Sequence, residues 1–350
     1  MARVTMKDIA QVCGVSVMSV SNAFNRPDQL SADLRDRILQ RAEKMGYAGP
    51  DARARTLRIG RSNTYGVLFA EPLGYAFTDP FATRWLAGFA EAMEERGASV
   101  LLLPVPAGAP GALEAVQNAA IDGVAGLCAS ETALDAARRR GMPVVVSTAS
   151  SEGDQVIIDD YAAARELASH IRRLGHDRVV IVVETRATGD MPHELEPAAF
   201  AAFVAQERDQ VFLDTWDRWR GLTEALAGAE VSVVLADGNT RALGAACGPV
   251  LFDRVDRPTA VIALSDVLAL GVLDALATRG LTPGRDVSVA GFDDLPDLAE
   301  RAGLTTIRQP IHDKGRLAAE LLLDPERRPR RVTLPHELVV RRSTGPAPQA

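Results

Sequence analysis

From Tyr65 onward the chain alternates between two hydrophobic patterns, and this alternation narrows the possible folds more than any other feature. The apolar stretch YGVLF (65–69) has strand length and is followed by a helical pattern from Phe81 to Arg96. SVLLL (99–103), a helix around Leu113 to Ala120 and GVAGL (123–127) continue the rhythm. It resumes with VIID (156–159), a helix from Tyr161 to Leu174 and VVIVV (179–183). VSVVLA (231–236), AVIAL (260–264) with a helix from Asp266 to Arg279, and DVSVAGF (286–292) complete it. Apolar strands separated by helices predict parallel sheets covered by helices, an α/β body. Nearly 280 residues of this exceed one comfortable core, so two lobes are expected. The most conspicuous apolar run, Val179 to Val183, falls far short of the roughly 18 residues of a membrane span. The N-terminus shows no apolar segment of a secretory signal, and Cys13, Cys128 and Cys247 lie far apart without a CxxC pair. A cytoplasmic protein with no membrane partner is the expectation.

The charge is unevenly spread. Residues 1–62 carry 11 Lys and Arg against 6 Asp and Glu, whereas the remainder carries 28 against 40. A small basic segment on a large acidic body suits a nucleic-acid-binding head. Within that head, MKDIAQVC (6–13) places Met6, Ile9, Ala10 and Cys13 on one helical face. Gly14 breaks the helix, and Ser16 caps a second one that carries Val17, Val20, Ala23 and Phe24. Ser31 caps a third, with Leu34, Ile38, Ala42 and Met45 aligned and Gly46 as terminator. Two short helices joined by a glycine turn, then a third, form a helix-turn-helix unit.

The second helix is expected to expose Val17, Met18, Ser19, Ser21 and Asn22 in place of the Lys and Glu of a solvated face. Short polar and apolar side chains suit a major groove, where Asn reads adenine and apolar groups touch thymine methyls. Ser16, Ser21 and Asn25 are candidates for phosphate contacts. Beyond the third helix, the segment 50–61 (PDARARTLRIGR) sets Ala54 and Leu57 among arginines, a pattern suited to a minor-groove wedge flanked by phosphate contacts.

Taken together, VTMKDIAQVCGVSVMSVSNAFN, LRDRILQRAEKMGY and ARARTLRIGRSNTYGVLF resemble the headpiece, hinge helix and first strand of the LacI/GalR family of bacterial transcription factors, in unbroken order. The resemblance implies that Val17, Met18 and Asn22 read bases and that Leu57 intercalates. It also puts Thr5, Ser19, Ser31, Tyr47, Ala54 and Arg55 at the DNA. The family commonly has Arg where this chain has Asn22, and Thr where it has Ser19.

The body is similar to the family's two-lobed core, which is periplasmic-binding-protein-like, Rossmann-like and built on parallel sheets. Sub-motifs cover it nearly end to end: RLGHDRV (173–179), RPTAVIALSDVLALGVLDAL (257–276), DVSVAGFDD (286–294), LTTIRQP (304–310) and LPHELVVRRST (334–344). The implied organisation is a headpiece over 1–49, a hinge over 50–62 and a core over 63–344. Lobe one would take about 63–160 and 292–322, lobe two about 161–291 and 323–344, with 345–350 a loose tail.

Ligand chemistry in such a fold belongs at the carboxyl ends of strands. The loop Tyr75–Pro80 supplies Tyr75, Phe77 and Asp79 to stack on and hydrogen-bond a ring, although its aromatics would equally cap the core. Asp293 corresponds by resemblance to the family's effector-binding Asp. Ser265 ends AVIAL, in front of an Asp266 that suits a helix cap, and Asn239 falls where some relatives place a stacking aromatic. The family's R-x-x-G-aromatic segment fits Arg218-Trp219-Arg220-Gly221-Leu222 best, with Arg208 a poorer competitor. Residues 184–216 exceed the family's usual length.

Enzyme motifs are missing: no G-x-G-x-x-G after the first strand, no P-loop, no G-x-S-x-G and no H-E-x-x-H. The five histidines do not cluster at ligand spacing, and no cofactor is called for. A solute-binding protein or an enzyme on the same core is the alternative. The expectation is a repressor-type homodimer on pseudo-palindromic double-stranded operator DNA, switched by a sugar, sugar phosphate or nucleoside. No C-terminal heptads suggest a tetramerisation helix. Lys7, Lys44 and Lys314 are the lysines among 39 basic residues, a bias read as compositional.

Overall fold

The structure is a computed structural model that describes residues 4–49, 60–106, 109, 111–148, 153–185, 192–206, 214–324 and 330–349. Two compact units result, Met1–Ser62 and Asn63–Ala350. The expected hinge residues Ala54, Arg55 and Leu57 lie outside the described residues, as does Arg208.

The smaller unit holds α1 (Met6–Cys13), α2 (Val17–Asn25) and α3 (Ala32–Lys44). Gly14 takes φ 65, a conformation that the missing Cβ permits, and Val15 N–H turns back to the Ala10 carbonyl at 3.0 Å. Ser16 then starts α2, its Oγ accepting the Ser19 N–H at 3.0 Å. Ile9, Ala10, Val20, Ala23, Ile38 and Ala42 form the buried core of this unit.

The larger unit begins with β1 (Thr64–Phe69), α4 (Tyr75–Thr78), α5 (Pro80–Glu95), β2 (Ser99–Pro104) and α6 (Ala112–Asn118). β3 (Gly123–Gly126), α7 (Glu131–Arg139), β4 (Val144–Val146) and β5 (Asp154–Ile158) follow. Then come α8 (Asp160–Arg173), β6 (Arg178–Glu184), β7 (His193–Leu195), α9 (Pro197–Gln206), α10 (Thr215–Ala225) and β8 (Glu230–Ala236). α11 (Arg241–Ala246), α12 (Gly248–Phe252), β9 (Ala260–Ala263), α13 (Asp266–Ala277) and β10 (Ser288–Asp293) continue. The last elements are α14 (Leu298–Ala302), β11 (Thr305–Arg308), α15 (Ile311–Leu323), β12 (Arg331–Leu334) and β13 (Glu337–Val339).

These strands form two sheets, each wrapped by helices on both faces. The first has the order β12-β5-β4-β3-β1-β2 and its pairings are parallel. The second has the order β13-β11-β10-β9-β6-β8-β7, parallel except for its two edge strands. Strands buried on both faces need apolar residues at successive positions, which is why VVIVV and AVIA read as continuous runs.

The chain does not cross back near residue 292. β10 pairs with β9 (Ser288 opposite Ala260) and β11 with β10, so both belong to the second sheet, where Phe292 and Ile307 are fully buried. The chain crosses first after β5, again around 309–310 to reach α15 and β12 in the first lobe, and a third time around 335–336 to reach β13. Residues 292–308 are therefore second-lobe, and α15 with β12 first-lobe.

The expected loose tail is also corrected over its described part. Gly345 N–H donates to Ser288 Oγ at 3.0 Å, and its carbonyl lies 3.0 Å from Nε2 of the buried His176. Ala347 N–H donates to the Leu174 carbonyl at 2.8 Å. Polar backbone running beside a sheet seeks such partners. The long 184–216 stretch supplies β7 and α9, which extend the second lobe; Phe200 is fully buried and packs edge-on to Trp219 at 4.8 Å.

Candidate functional site

Two surfaces carry the expected functional residues. On the head, Val17 is 40% and Met18 63% exposed at the start of α2, a high exposure for apolar side chains beside a formed core. Asn25 is exposed and Asn22 half-buried, and with Met18 they stand at i, i+4 and i+7 on one helical face. Ser19 is half-buried, its Oγ 2.9 Å from that of the capping Ser16. Ser21 departs from expectation: it is 8% exposed and faces inward with Val20 and Ala23, while its carbonyl accepts from Asn25 Nδ2 at 3.0 Å. Thr5 is exposed, its N–H and hydroxyl donating to Asp8. Ser31 is exposed at the start of α3, and Tyr47 is half-buried, edge-on to Phe24 at 5.7 Å.

The second surface is the cleft between the two sheets, lined from both lobes. Tyr75, Phe81 and Cys128 follow strands of the first lobe; Glu184, Asp214, Arg218, Asn239, Ser265 and Asp293 come from the second. α10 reaches the cleft because Gly221 presses it against α8: a Cβ there would meet the Tyr161 carbonyl oxygen at 2.2 Å. That close approach sets Arg218 beside Asp160. Arg218 is 5% exposed; Nε donates to Asp160 at 2.8 Å, Nη1 to the Leu264 carbonyl at 2.8 Å and Nη2 to Asp214 at 2.6 Å. Its guanidinium also stacks 3.9 Å from the centroid of Phe292. Three of its five N–H groups are thus spent on the protein.

Asp293 stands at φ 121, a strained conformation for a residue with a Cβ. Its Oδ1 accepts from Gln309 Nε2 at 2.6 Å, and Gln309 Oε1 accepts from the buried Lys314 at 3.0 Å. This relay runs from β10 through the second crossing to α15. Another set of polar groups meets across the lobes: Ser265 Oγ donates to Asn239 Oδ1 at 2.6 Å, and the Tyr75 hydroxyl stands close to Asn239 and Asp79. Asp79 caps α5 through Ala82 N–H at 2.7 Å.

Burial dominates the electrostatics. It pushes the Asp79 carboxyl up to about 6, against the pull of its helix-cap bond, and the Glu184 carboxyl up to about 7. It raises Asp293 and the Tyr75 hydroxyl as well, and lowers Lys314. Arg218, ringed by Asp214, Asp160 and Asp293, stays charged.

The structure thus brings Tyr75, Arg218, Asn239, Ser265 and Asp293 to one cavity, with Asp79 beside Tyr75. It does not bring Phe77, which is 66% exposed. The expected loop is the short helix α4, and residues two apart on a helix point to nearly opposite sides. The aromatic that lines the cavity is instead Phe81. Nor does Asp266 cap α13. Ser265 does, accepting from Leu268 N–H at 3.2 Å, while Asp266 accepts from Thr306 Oγ1 and Leu295 N–H. Sequence reasoning missed Asp160, Glu184, Gln309 and Lys314. The last had a signal, being one of few lysines in an arginine-rich chain.

The inner cavity measures about 40 Å³, room for a few water molecules. Tyr75 and Asn239 also line a second cavity of about 270 Å³, with Pro80, Val267, Leu270 and Leu298 among its walls. Among the described residues, no helix is long and apolar enough to cross a membrane.

Comparisons with known proteins agree with this geometry. Residues 5–49 match the family description "Bacterial regulatory proteins, lacI family", and 168–344 match "Periplasmic binding protein-like domain". The chain is 37% identical to the HTH-type transcriptional regulator Rv3575c of Mycobacterium tuberculosis, over 98% of each protein. The crystal structure of a LacI-family transcriptional regulator from Corynebacterium glutamicum superposes with a TM-score of 0.70 at 30% identity, covering 98% of this chain and 99% of that one. A complex of the transcriptional regulator CelR with cellobiose superposes with a TM-score of 0.65 at 25% identity, covering 97% and 100%.

Proposed function

Since the chain belongs to the LacI family of bacterial regulatory proteins, we propose that it is a transcriptional repressor whose grip on DNA is set by a small polyhydroxylated ligand held between the lobes. The head acts as a dimer, each α2 entering a major groove of a pseudo-palindromic operator, with Val17, Met18 and Asn22 toward the bases. The core works as a switch and catalyses no reaction.

The observation that carries this reading is the pairing, on one chain, of an exposed apolar and amide face on α2 with a buried polar cavity bridged from both lobes. The inner cavity is too small for a sugar ring as the lobes stand. Entry of a ring requires the Tyr75–Asn239 pair to part, so that the two cavities merge and the lobes move about the three crossings. A ligand that favours one lobe arrangement shifts the population of the whole molecule. The likeness to CelR, described with cellobiose, favours a carbohydrate-sized occupant.

An electrophoretic shift with DNA from upstream of the chain's own gene tests the reading. The full chain should retard it, removal of residues 1–62 should abolish the shift, and a sugar that raises the melting temperature should change it. Retention of DNA binding without the head would overturn the assignment.

A further inference from the structure

Glu184 ends β6 and lines the inner cavity. The residue is 4% exposed, yet its Oε2 has no hydrogen-bond partner within the protein. A buried polar atom left without a partner costs stability. Packing does not ask for a carboxyl there, since Val179 to Val183 before it are aliphatic and fully at home in the sheet. A residue kept against local stability at the wall of a ligand cavity is one kept for the ligand.

The surroundings define what that ligand can be. Asp214 and Asp293 line the same space, Asp79 is near enough to act on Glu184 by charge, and the cations present are already engaged: Arg218 by Asp160 and Asp214, Lys314 by Gln309. Acidic groups exceed basic ones, and the Glu184 carboxyl, pushed up by burial to about 7, is mostly ionised at pH 7.5. A carboxylate oxygen accepts hydrogen bonds from ligand hydroxyls and repels anions. A phosphate or carboxylate would meet unscreened like charges in a dry space.

We propose that Glu184 is a specificity-determining contact whose free oxygen hydrogen-bonds a hydroxyl of an uncharged polyhydroxylated ligand, and that the acid-rich wall around it shuts out phosphorylated forms of that ligand. This rests on reading the cleft as the effector site.

The test is calorimetric titration and thermal melting of the full chain with D-ribose, D-glucose, cellobiose, ribose 5-phosphate and glucose 6-phosphate at pH 7.5. At least one uncharged sugar should bind, and the phosphates at least about 100-fold more weakly. Glu184→Leu should weaken the sugar by about 10- to 100-fold, the cost of losing a buried hydrogen bond, while raising the melting temperature of the ligand-free protein. That opposition is what a merely structural role would not produce. Glu184→Gln, which keeps the hydrogen bonds without the acid, should hold the sugar within about tenfold and narrow the gap to the phosphates. A phosphate bound as tightly as its sugar, or unchanged sugar affinity in Glu184→Leu, overturns the inference while leaving the effector cleft standing. Failure of the unmodified chain to bind any of the five overturns both.

Discussion

Arg218 shows how a single side chain carries two roles that sequence alone keeps apart. The resemblance to the family's R-x-x-G segment picked it out over Arg208, and the structure shows why a glycine stands there: α10 meets α8 at Gly221. Its partners could not be read that way: Asp160 is 58 residues distant, and Leu264 offers only a backbone carbonyl. Glu184 was hidden for a similar reason, since a lone acid after an aliphatic run reads as a strand end. Phe77 misled because helix and loop place it on different sides. A consequence follows for mutagenesis. Arg218→Ala leaves Asp160 and Asp214 buried without their cation, and breaking such a cluster costs about 3–5 kcal/mol. Urea unfolding should show that loss in the core transition. A variant within 1 kcal/mol of the parent would mean that the carboxyls simply take up protons, and the ion cluster would not be structural.

Helices and strands were more legible than their junctions. α1, α2 and α3 follow from caps and periodicity, since Gly14, Ser16 and Ser31 are where the backbone has to change course. The inward turn of Ser21 did not follow, because a small polar side chain fits either face. Asn22→Ala on α2 should cost about 1–3 kcal/mol of operator affinity and relax preference at one base position per half-site, as loss of a bidentate amide does. Unchanged rank order across operator variants would transfer that role to Met18 or Val17. In the core, α10 depends on close approach to α8. Gly221→Ala drives a methyl to 2.2 Å from the Tyr161 carbonyl, where only backbone could yield. Overpacking of this kind typically costs about 1–3 kcal/mol. The same shift would draw Arg218 from Asp160, so weaker ligand affinity should accompany a lower urea midpoint.

For the molecule as a whole, two lobes were readable from alternation and length, but not the route between them. Strand patterns say what is buried, not which sheet buries it, and the return at 309–310 was invisible for that reason. The whole molecule also has a pH response with a definite sign. Glu184 titrates near 7 when folded and near 4.3 when unfolded, with Arg218 on α10, Asp214 just before that helix and Asp79 of the first lobe acting on it. Between those values folding takes up a proton, so its contribution to stability declines as pH rises from about 4.3 to 7. Asp79 near 6 and Asp266 near 7 act in the same sense. Glu184→Gln cannot titrate, so its stability advantage over the parent should grow from pH 5 to pH 8. Trp85, Trp216 and Trp219 all lie in the larger unit, so tryptophan fluorescence follows that unit alone. An advantage that stays flat across this range would place the Glu184 proton elsewhere.

The threefold crossing has a bearing on how the protein is made. Both sheets take an edge strand from the last stretch of chain, β12 for the first and β13 for the second. Neither lobe is complete until residues 331–339 have left the ribosome, and long-range pairing of this kind is slow to form. The core of the head is built from residues 4–47 and is complete once α3 and Tyr47 emerge. During synthesis there is thus an interval in which a nascent chain carries a finished DNA-reading head and no cleft able to restrain it.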